Sequence, residues 1–192
     1  MAIRNRPVAI AGPSSTPPWT HLLTESGCRT LAPVGITNDD VQHLRRCVDL
    51  ACEALAAGDE PFGSVLVSAD GRTLFEDRNR VKDGDNTRHP ELTIALWAVE
   101  NMEPAARAAA TVYTSGEHCP MCAAAHAWVG LGRIAYAVSS SQLSEWLAEW
   151  NAPLSPVAGL PINIVAPQVP VDGPADALVD EMRALHAQRF SV

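Results

Sequence analysis

The sequence predicts an α/β protein with a mixed central sheet and helices on both faces. Segments with a helical period alternate with short runs rich in Val, Ile and Tyr along most of the chain, an order typical of layered α/β folds. Two of the short runs flank a tight-turn sequence, which is typical of a hairpin. The chain of 192 residues is long enough for one domain with a buried core, so a single domain is expected.

The first regular element is a helix that begins near Asn38 or Asp39 and ends at Gly58. Acidic residues occupy its first turn, as the helix dipole favours. Its apolar face is formed by Val41, Leu44, Val48, Ala51 and Leu55. Residues 1–37 are rich in Pro, Ser and Thr without a clear period, so they predict an irregular arm. Residues 38–192 are assigned to the single domain, which includes a C-terminal helix.

A hairpin and a second helix follow. Residues 61–68 predict a strand, the sequence A-D-G-R at 69–72 predicts a turn, and residues 73–81 predict the returning strand. Pro90 opens a helix that continues to about Met102, because proline is tolerated at a first helical position, where its missing N–H is not needed.

The second half of the chain alternates strand and helix. The predicted elements are a strand at Thr111–Ser115, a helix from Pro120 to about Leu131, a strand at 133–138, a helix at Ser141–Trp150, a strand at 162–166 and a closing helix at Ala175–Arg189.

Composition and charge exclude several classes of protein. No apolar run approaches the roughly 20 residues that a membrane-spanning helix needs, and the N-terminal stretch lacks the apolar core of a secretion signal, so we expect a soluble cytoplasmic protein. The net charge of −8, with Lys82 as the only lysine, disfavours binding to a nucleic-acid backbone. Five cysteines, an odd number, fit a reducing compartment better than a disulfide framework.

The motif T-S-G-E-H-C-P-M-C places Cys119 and Cys122 three residues apart at the start of a predicted helix. Free N–H groups and the helix dipole favour thiolates there, and two thiolates attract a soft cation such as zinc. Taken alone, C-P-M-C is equally compatible with a redox pair, but its position after three predicted strands favours zinc. A closed structural zinc site would take His126 as its fourth ligand.

His89 is the leading candidate for a third ligand, because it also stands immediately before a helix opened by a proline. Glu91 follows two residues later. If the two helices begin side by side, one imidazole and two thiolates leave a fourth tetrahedral position open for water. A carboxylate nearby can exchange protons with that water, which predicts metal-assisted hydrolysis with a general acid/base. Taken alone, Glu91 is also typical of an ordinary first-turn acid.

The run His89-Pro90-Glu91 and the run from Thr114 to Cys122 resemble the two zinc-binding motifs of the cytidine deaminase-like superfamily. The sequence is most similar to the branch with guanine deaminases and tRNA adenosine deaminases, over about residues 40–150. The resemblance implies a three-layer α/β/α sandwich with a five-stranded mixed sheet, a Zn²⁺ cofactor and a homodimer. It also implies that Asn79 contacts the substrate ring and that backbone groups after Phe62 line the pocket.

Two positions depart from the family's pattern. His118 stands where the family has proline before the first cysteine, which makes it a competing metal ligand or a residue at the border of the substrate pocket. Pro90 stands where Ala or Val usually separates the histidine from the glutamate. The middle residue of that motif supplies no ligand, so this change is chemically neutral.

The resemblance implies that ammonia is released from a small aminated ring. Guanine deaminases hold the purine with an acid downstream of the fourth strand. The comparable stretch here does not match theirs closely, but Glu145 or Glu149 could take the place of that acid. Free bases of the guanine or cytosine type and amino-s-triazines therefore all stay open, and Trp146 is a candidate to cover the substrate. Nucleoside or tRNA adenosine deamination and a non-catalytic, zinc-stabilised binding protein are the alternatives.

Overall fold

The computed structural model describes residues 35–153 and 155–190, where five strands form one sheet. The strands are β1 (Gly63–Val67), β2 (Thr73–Arg78), β3 (Thr111–Gly116), β4 (Arg133–Val138) and β5 (Val171–Asp172). The helices are α1 (Asn38–Ala56), α2 (Pro90–Asn101), α3 (Pro104–Ala109), α4 (Pro120–Trp128), α5 (Ser140–Glu149), α6 (Ile162–Val165) and α7 (Asp176–Phe190). Residues 1–34 of the predicted arm lie outside the described residues, so the arm stays a prediction.

The sheet is mixed, with strand order β2-β1-β3-β4-β5. Strand β1 pairs antiparallel with β2 and β3, whereas β4 pairs parallel with β3 and β5. Ser64 lies opposite Thr114 in the β1–β3 ladder, and Thr111 lies beside Arg133 in the β3–β4 ladder. Because β3 and β4 run in the same direction, the segments that follow them emerge at the same edge of the sheet. The cysteine motif follows β3 at this edge.

Helices cover both faces of the sheet, so the predicted three-layer α/β/α sandwich is confirmed. One face packs against α1, α5 and α7 through a core that includes Val65, Trp146 and Met182. The other face packs against α2, α4 and α6 through two clusters that include Ile94 and Ile162. Within the described ranges, none of these helices combines the length and the apolar character needed to cross a bilayer.

The prediction for residues 162–166 was wrong. Their β-branched content predicts a strand, but Ile162–Val165 form α6, and the fifth strand is the short β5 at Val171–Asp172. Glu117 Oε1 accepts a hydrogen bond from the backbone N–H of Ile162 at 2.9 Å, which satisfies a free donor at the start of α6. This contact with a distant residue outweighs the local strand propensity. Helix α3 was also not predicted, whereas the other elements agree within a few residues at their ends.

A buried charged cluster joins the start of β4 to α1. Arg133 contacts Asp40 Oδ1 and Asp172 Oδ2, both at 2.7 Å, and the Tyr113 hydroxyl donates to Asp40 at 2.8 Å. Burial alone would raise the pKa of Asp40, but hydrogen bonds from Arg133, Thr37 and Tyr113 outweigh burial and hold this pKa well below its usual range. We call these residues the Arg133 cluster. It joins α1, β4 and β5 at the end of the sheet opposite to the cysteine motif, and removing one partner would destabilise the fold because a buried charge would be left unpaired.

Candidate active site

The three predicted metal ligands lie together where β3 ends. His89 is the N-cap of α2 and Cys119 is the N-cap of α4, each followed by a proline. The His89 Nδ1 atom lies 3.6 Å from Cys119 Sγ and 3.6 Å from Cys122 Sγ. All three ligand atoms lie within 4.8 Å of one another. The two helices therefore begin side by side and form what we call the His-Cys-Cys cluster.

The size and chemistry of the His-Cys-Cys cluster fit a zinc ion. Tetrahedral zinc binds imidazole nitrogen at about 2.0–2.1 Å and thiolate sulfur at about 2.3 Å, so neighbouring ligand atoms lie about 3.5–3.8 Å apart. Both nitrogen–sulfur separations, 3.6 Å, fall in this range. A hydrogen bond from Cys122 lowers the pKa of Cys119 to about 4 and raises the pKa of Cys122, so Cys119 is the thiol that more readily forms the thiolate a metal requires.

Glu91 lies in the first turn of α2, two residues after His89, and is buried. Its Oε1 atom accepts hydrogen bonds from the Ser64 hydroxyl at 3.1 Å and the Thr114 hydroxyl at 2.9 Å. Ser64 and Thr114 are paired in the β1–β3 ladder, so their side chains share one face of the sheet. Burial raises the pKa of Glu91, which brings its protonated form closer to neutral pH and suits a group that both takes and returns a proton.

Asn79 and Phe62, the predicted substrate contacts, lie next to each other. The Asn79 backbone N–H donates to the Phe62 carbonyl at 3.0 Å, and Asn79 Oδ1 accepts from the Val81 N–H at 3.0 Å. Asn79 is buried, and its Nδ2 atom has no hydrogen-bond partner in the described part of the chain. A buried amide donor without a partner is uncommon in folded proteins. It is expected where a ligand supplies the acceptor, and the role of Asn79 stays a prediction.

His118 is buried but does not belong to the His-Cys-Cys cluster. Neither of its ring nitrogens has a hydrogen-bond partner among residues 35–153 and 155–190, and its ring lies 5.5 Å from that of His126 in an edge-on arrangement. His126 Nε2 lies 2.8 Å from the carbonyl oxygen of Gly132, so this nitrogen is already engaged. The cluster therefore gathers three ligands from the described residues, which favours an open site over a closed one. A pocket role for His118 stays a prediction.

The residues predicted on α5 occupy different environments. Trp146 is buried, with its ring 6.3 Å from that of His186 on α7. Glu145 is exposed to solvent. Glu149 forms an ion pair with Arg183 of α7 at 2.7 Å, and both side chains are about half exposed. Neither carboxylate is buried in this conformation, and contact of Glu145 or Trp146 with a substrate stays a prediction.

Glu117 is a supporting residue that was not singled out from the sequence. Its Oε2 atom accepts from the backbone N–H and the hydroxyl of Ser140 at 2.8 and 2.9 Å, while Oε1 binds the start of α6. The residue two positions before Cys119 therefore holds the first turns of both α5 and α6. These contacts join positions 23 and 45 residues apart, so a local pattern could not reveal them.

An imidazole, two thiols and a buried carboxyl group at the edge of an α/β/α sheet define a class of protein, the zinc-dependent deaminases of the cytidine deaminase-like fold. Residues 37–138 match the family described as the cytidine and deoxycytidylate deaminase zinc-binding region. The match spans more than half of the chain and includes the His-Cys-Cys cluster and Glu91. This protein therefore belongs to that family, and its cofactor is zinc.

Several curated relatives share this region. A probable cytosine deaminase from Schizosaccharomyces pombe is 27% identical over 144 residues, which cover 70% of this chain and 87% of the relative. The guanine deaminase of Bacillus subtilis is 36% identical over 104 residues, 53% of this chain and 66% of the relative. A tRNA-specific adenosine deaminase from Agrobacterium fabrum is 35% identical over 88 residues, 44% of this chain and 57% of the relative. The chain thus spans less than two thirds of the second and third of these proteins.

Solved structures support the fold. A guanine deaminase from Nitrosomonas europaea superposes with a TM-score of 0.60 at 18% identity, covering 83% of this chain and 88% of that one. A crystal structure in complex with 2,6-diaminopurine superposes with a TM-score of 0.61 at 20% identity, covering 83% of this chain and 85% of that one. At these identities the likeness concerns the architecture alone.

Proposed function

We propose that this protein is a hydrolytic deaminase that releases ammonia from a small aminated heterocycle in the form of a free base. The observation that carries the proposal is the convergence of His89, Cys119 and Cys122 within 4.8 Å, with the buried acid Glu91 two residues from the histidine. The names of two relatives, a probable cytosine deaminase and a guanine deaminase, support a base as substrate. The net charge of −8 disfavours tRNA, since binding to phosphates depends on Lys and Arg.

In the proposed mechanism, His89, Cys119 and Cys122 hold the metal. Zinc held there would act as a Lewis acid and would lower the pKa of the attacking water. Glu91 takes a proton from the attacking water and delivers it to the departing amino nitrogen, so a C–O bond forms, the C–N bond breaks and ammonia leaves. Ser64 and Thr114 both bind Oε1, which orients the carboxyl group and leaves Oε2 for proton transfer.

The remaining predicted contacts orient the ring. In this proposal the free Nδ2 donor of Asn79 binds a ring heteroatom, and the Phe62 segment forms one wall of the pocket. A Cβ atom at Gly116 would come within 2.8 Å of the Phe62 ring, so glycine allows that ring to lie against the end of β3. Gly116 is three positions before Cys119 in the sequence, so the Phe62 ring lies close to the start of the cysteine motif.

We expect Thr114→Val to lower kcat by about tenfold with little change in KM. Valine keeps the shape of threonine but removes one of the two donors to Glu91 Oε1, and a hydrogen bond to a charged group contributes about 1.5–3 kcal/mol. Thr114→Ser is the matched control because it keeps the hydroxyl. Steady-state kinetics with ammonia as the readout would check this, and equal kcat values for the valine variant and the wild type would remove Thr114 from the orientation of Glu91.

A single experiment tests the proposed function against its alternatives. Purified protein is first analysed for bound metal and then screened for ammonia release from guanine, cytosine, adenine, their nucleosides and aminotriazines. One zinc ion per chain with turnover of a free base supports the proposal. Bound zinc without ammonia from any ring would instead support a zinc-stabilised binding protein. A reducible Cys119–Cys122 disulfide without bound metal would support a thiol oxidoreductase.

We also propose a cytoplasmic homodimer. None of the four cysteines among the described residues forms a disulfide, which fits a reducing compartment. Helices α2 and α4 both begin at the His-Cys-Cys cluster and pack side by side, and they expose Leu96, Val99 and Trp128 with 60%, 50% and 88% of their surface accessible. Large apolar side chains exposed on two neighbouring helices are typical of an interface.

We expect Trp128→Glu to shift the protein from dimer to monomer, because it places a charge at the proposed interface. The loss of an aromatic side chain from the interface and the new charge should weaken association by about 30-fold or more. Sedimentation velocity over a concentration series would measure this change. Val157→Glu is the matched control, since Val157 is also exposed but lies outside α2 and α4. Unchanged association of the Trp128 variant would contradict an interface at this surface.

A further inference from the structure

His186 on α7 is fully buried, yet its ring makes no hydrogen bond in the described part of the chain. Its exposed fraction is 0%, and neither Nδ1 nor Nε2 has a partner there. Burying a polar group without a partner costs about 1–3 kcal/mol. An unpaired imidazole in the interior therefore calls for a reason, because a phenylalanine or leucine would pack at this position without that cost.

The surroundings of His186 connect it to the proposed substrate pocket. Its ring packs against the ring of Phe62 at a centroid distance of 5.1 Å, against Trp146 at 6.3 Å and against Phe190 at 6.1 Å. Phe62 in turn accepts the backbone hydrogen bond of Asn79 and lies against the end of β3. The imidazole thus contacts Phe62, the residue that forms one wall of the substrate pocket in the proposed function, and Phe62 is joined to Asn79, which carries the free amide donor.

Neither carboxylate that the sequence offered on α5 lies beside His186 and Phe62. Glu145 is exposed, and Glu149 is paired with Arg183 at the surface. The sequence led us to expect an acid of this helix to bind the edge of the base, but within the described residues the unpaired polar group beside Phe62 and Trp146 belongs to α7.

We propose that His186 is a substrate-binding residue that makes a hydrogen bond to the edge of the base remote from the amino group under attack. This inference rests on the proposed function. Burial lowers the pKa of His186 to about 4, so the ring is neutral at physiological pH and offers one donor and one acceptor. A neutral ring suits an uncharged base, because it adds no unpaired charge to a pocket from which water is excluded.

Contact between His186 and a base requires one aromatic side chain to move. Both ring nitrogens are inaccessible to solvent in this conformation. Phe190, the last residue of α7, stacks on His186 at an interplanar angle of 15° and is itself only partly buried. Among the three aromatic neighbours of His186, Phe190 can move with the least disturbance of the core, because helix ends open more readily than helix interiors. We infer that the base takes the place of the Phe190 ring.

The test compares His186→Phe with His186→Gln in the full-length, zinc-loaded protein. Phenylalanine fits the aromatic surroundings but removes both nitrogens, whereas glutamine keeps a donor and an acceptor. For the base that wild type deaminates, we expect His186→Phe to raise KM by about tenfold, the value of one hydrogen bond, with kcat changed by less than about threefold. We expect its melting temperature to be equal or higher, and His186→Gln to restore KM to within about threefold.

His43→Phe on α1 is the matched control, because it makes the same change at a histidine whose ring also packs against an aromatic ring, that of Tyr113 at a centroid distance of 4.7 Å. A purely structural role for His186 predicts a higher melting temperature with an unchanged KM, and that result would overturn the proposal. Binding of the same bases is also measured by calorimetry, independently of turnover. If wild type binds a base without releasing ammonia, the proposed function fails, and about tenfold weaker binding by His186→Phe still supports the role of His186. Equal binding would reject it.

Discussion

The Glu91→Gln variant is expected to retain its zinc and to lose about three orders of magnitude in kcat. Glutamine has the shape of glutamate, and its Oε1 atom can still accept the hydrogen bonds of Ser64 and Thr114. It cannot take up a proton, so both proton transfers of the proposed mechanism lose their carrier. General acid/base groups contribute about 10²- to 10⁴-fold to a rate, and Glu91 serves in two steps.

Metal analysis and steady-state kinetics on the same preparation would measure this effect. Glu100→Gln provides the control, because Glu100 is an exposed residue near the end of the same helix. A Glu91→Gln variant with a near-normal rate would show that another group moves the proton. Loss of zinc from this variant would instead place Glu91 among the ligands, which contradicts the role assigned to it.

The second large effect is expected from Cys122→Ser. Cys122 is completely buried in the first turn of α4, and its Sγ lies 3.6 Å from His89 Nδ1. A serine hydroxyl is a poor zinc ligand because it remains protonated near neutral pH, so we expect the affinity for zinc to fall by more than about 100-fold. Since zinc stabilises the folded state that binds it, the variant should also unfold at a lower temperature than the zinc-loaded wild type.

Titration with a zinc-sensitive chelator and thermal unfolding, each with and without added zinc, would measure both effects. Cys52→Ser is the control, because Cys52 is an exposed thiol on α1. Added zinc should raise the melting temperature of the wild type and of the Cys52 variant but not that of the Cys122 variant. A Cys122→Ser protein that keeps one tightly bound zinc ion would refute the assignment of this ligand.

Much of the fold and the meeting of His89, Cys119 and Cys122 could be predicted because their signals are local. The two prolines that open α2 and α4 mark the helix starts that carry His89 and Cys119, and the resemblance to a known family supplied the pairing between them. The hairpin was predictable for the same reason, since its turn lies between two short apolar runs.

The parts that could not be predicted depend on contacts between distant positions. Glu117 holds the start of α6, so I-N-I-V-A becomes helix despite its β-branched residues. Ser64 and Thr114 meet at Glu91 because of the register between β1 and β3, and no pattern in either strand reveals that register. His186 looks like an ordinary residue of an amphipathic helix until its unpaired nitrogens and its aromatic neighbours are seen.

The Arg133 cluster has a consequence for how this protein can change during evolution. It ties α1, β4 and β5 together at one end of the sheet, whereas the unpaired donor of Asn79 and the unpaired ring of His186 are at or near the other. In our proposals these two groups are kept for a ligand at a cost to the folded state, whereas the Arg133 cluster consists of paired charges and lies apart from them. If α5 and α7 contact the substrate as proposed, substitutions in these helices can change which ring is recognised without removing the contacts that join α1, β4 and β5, so new substrates lie within few mutational steps.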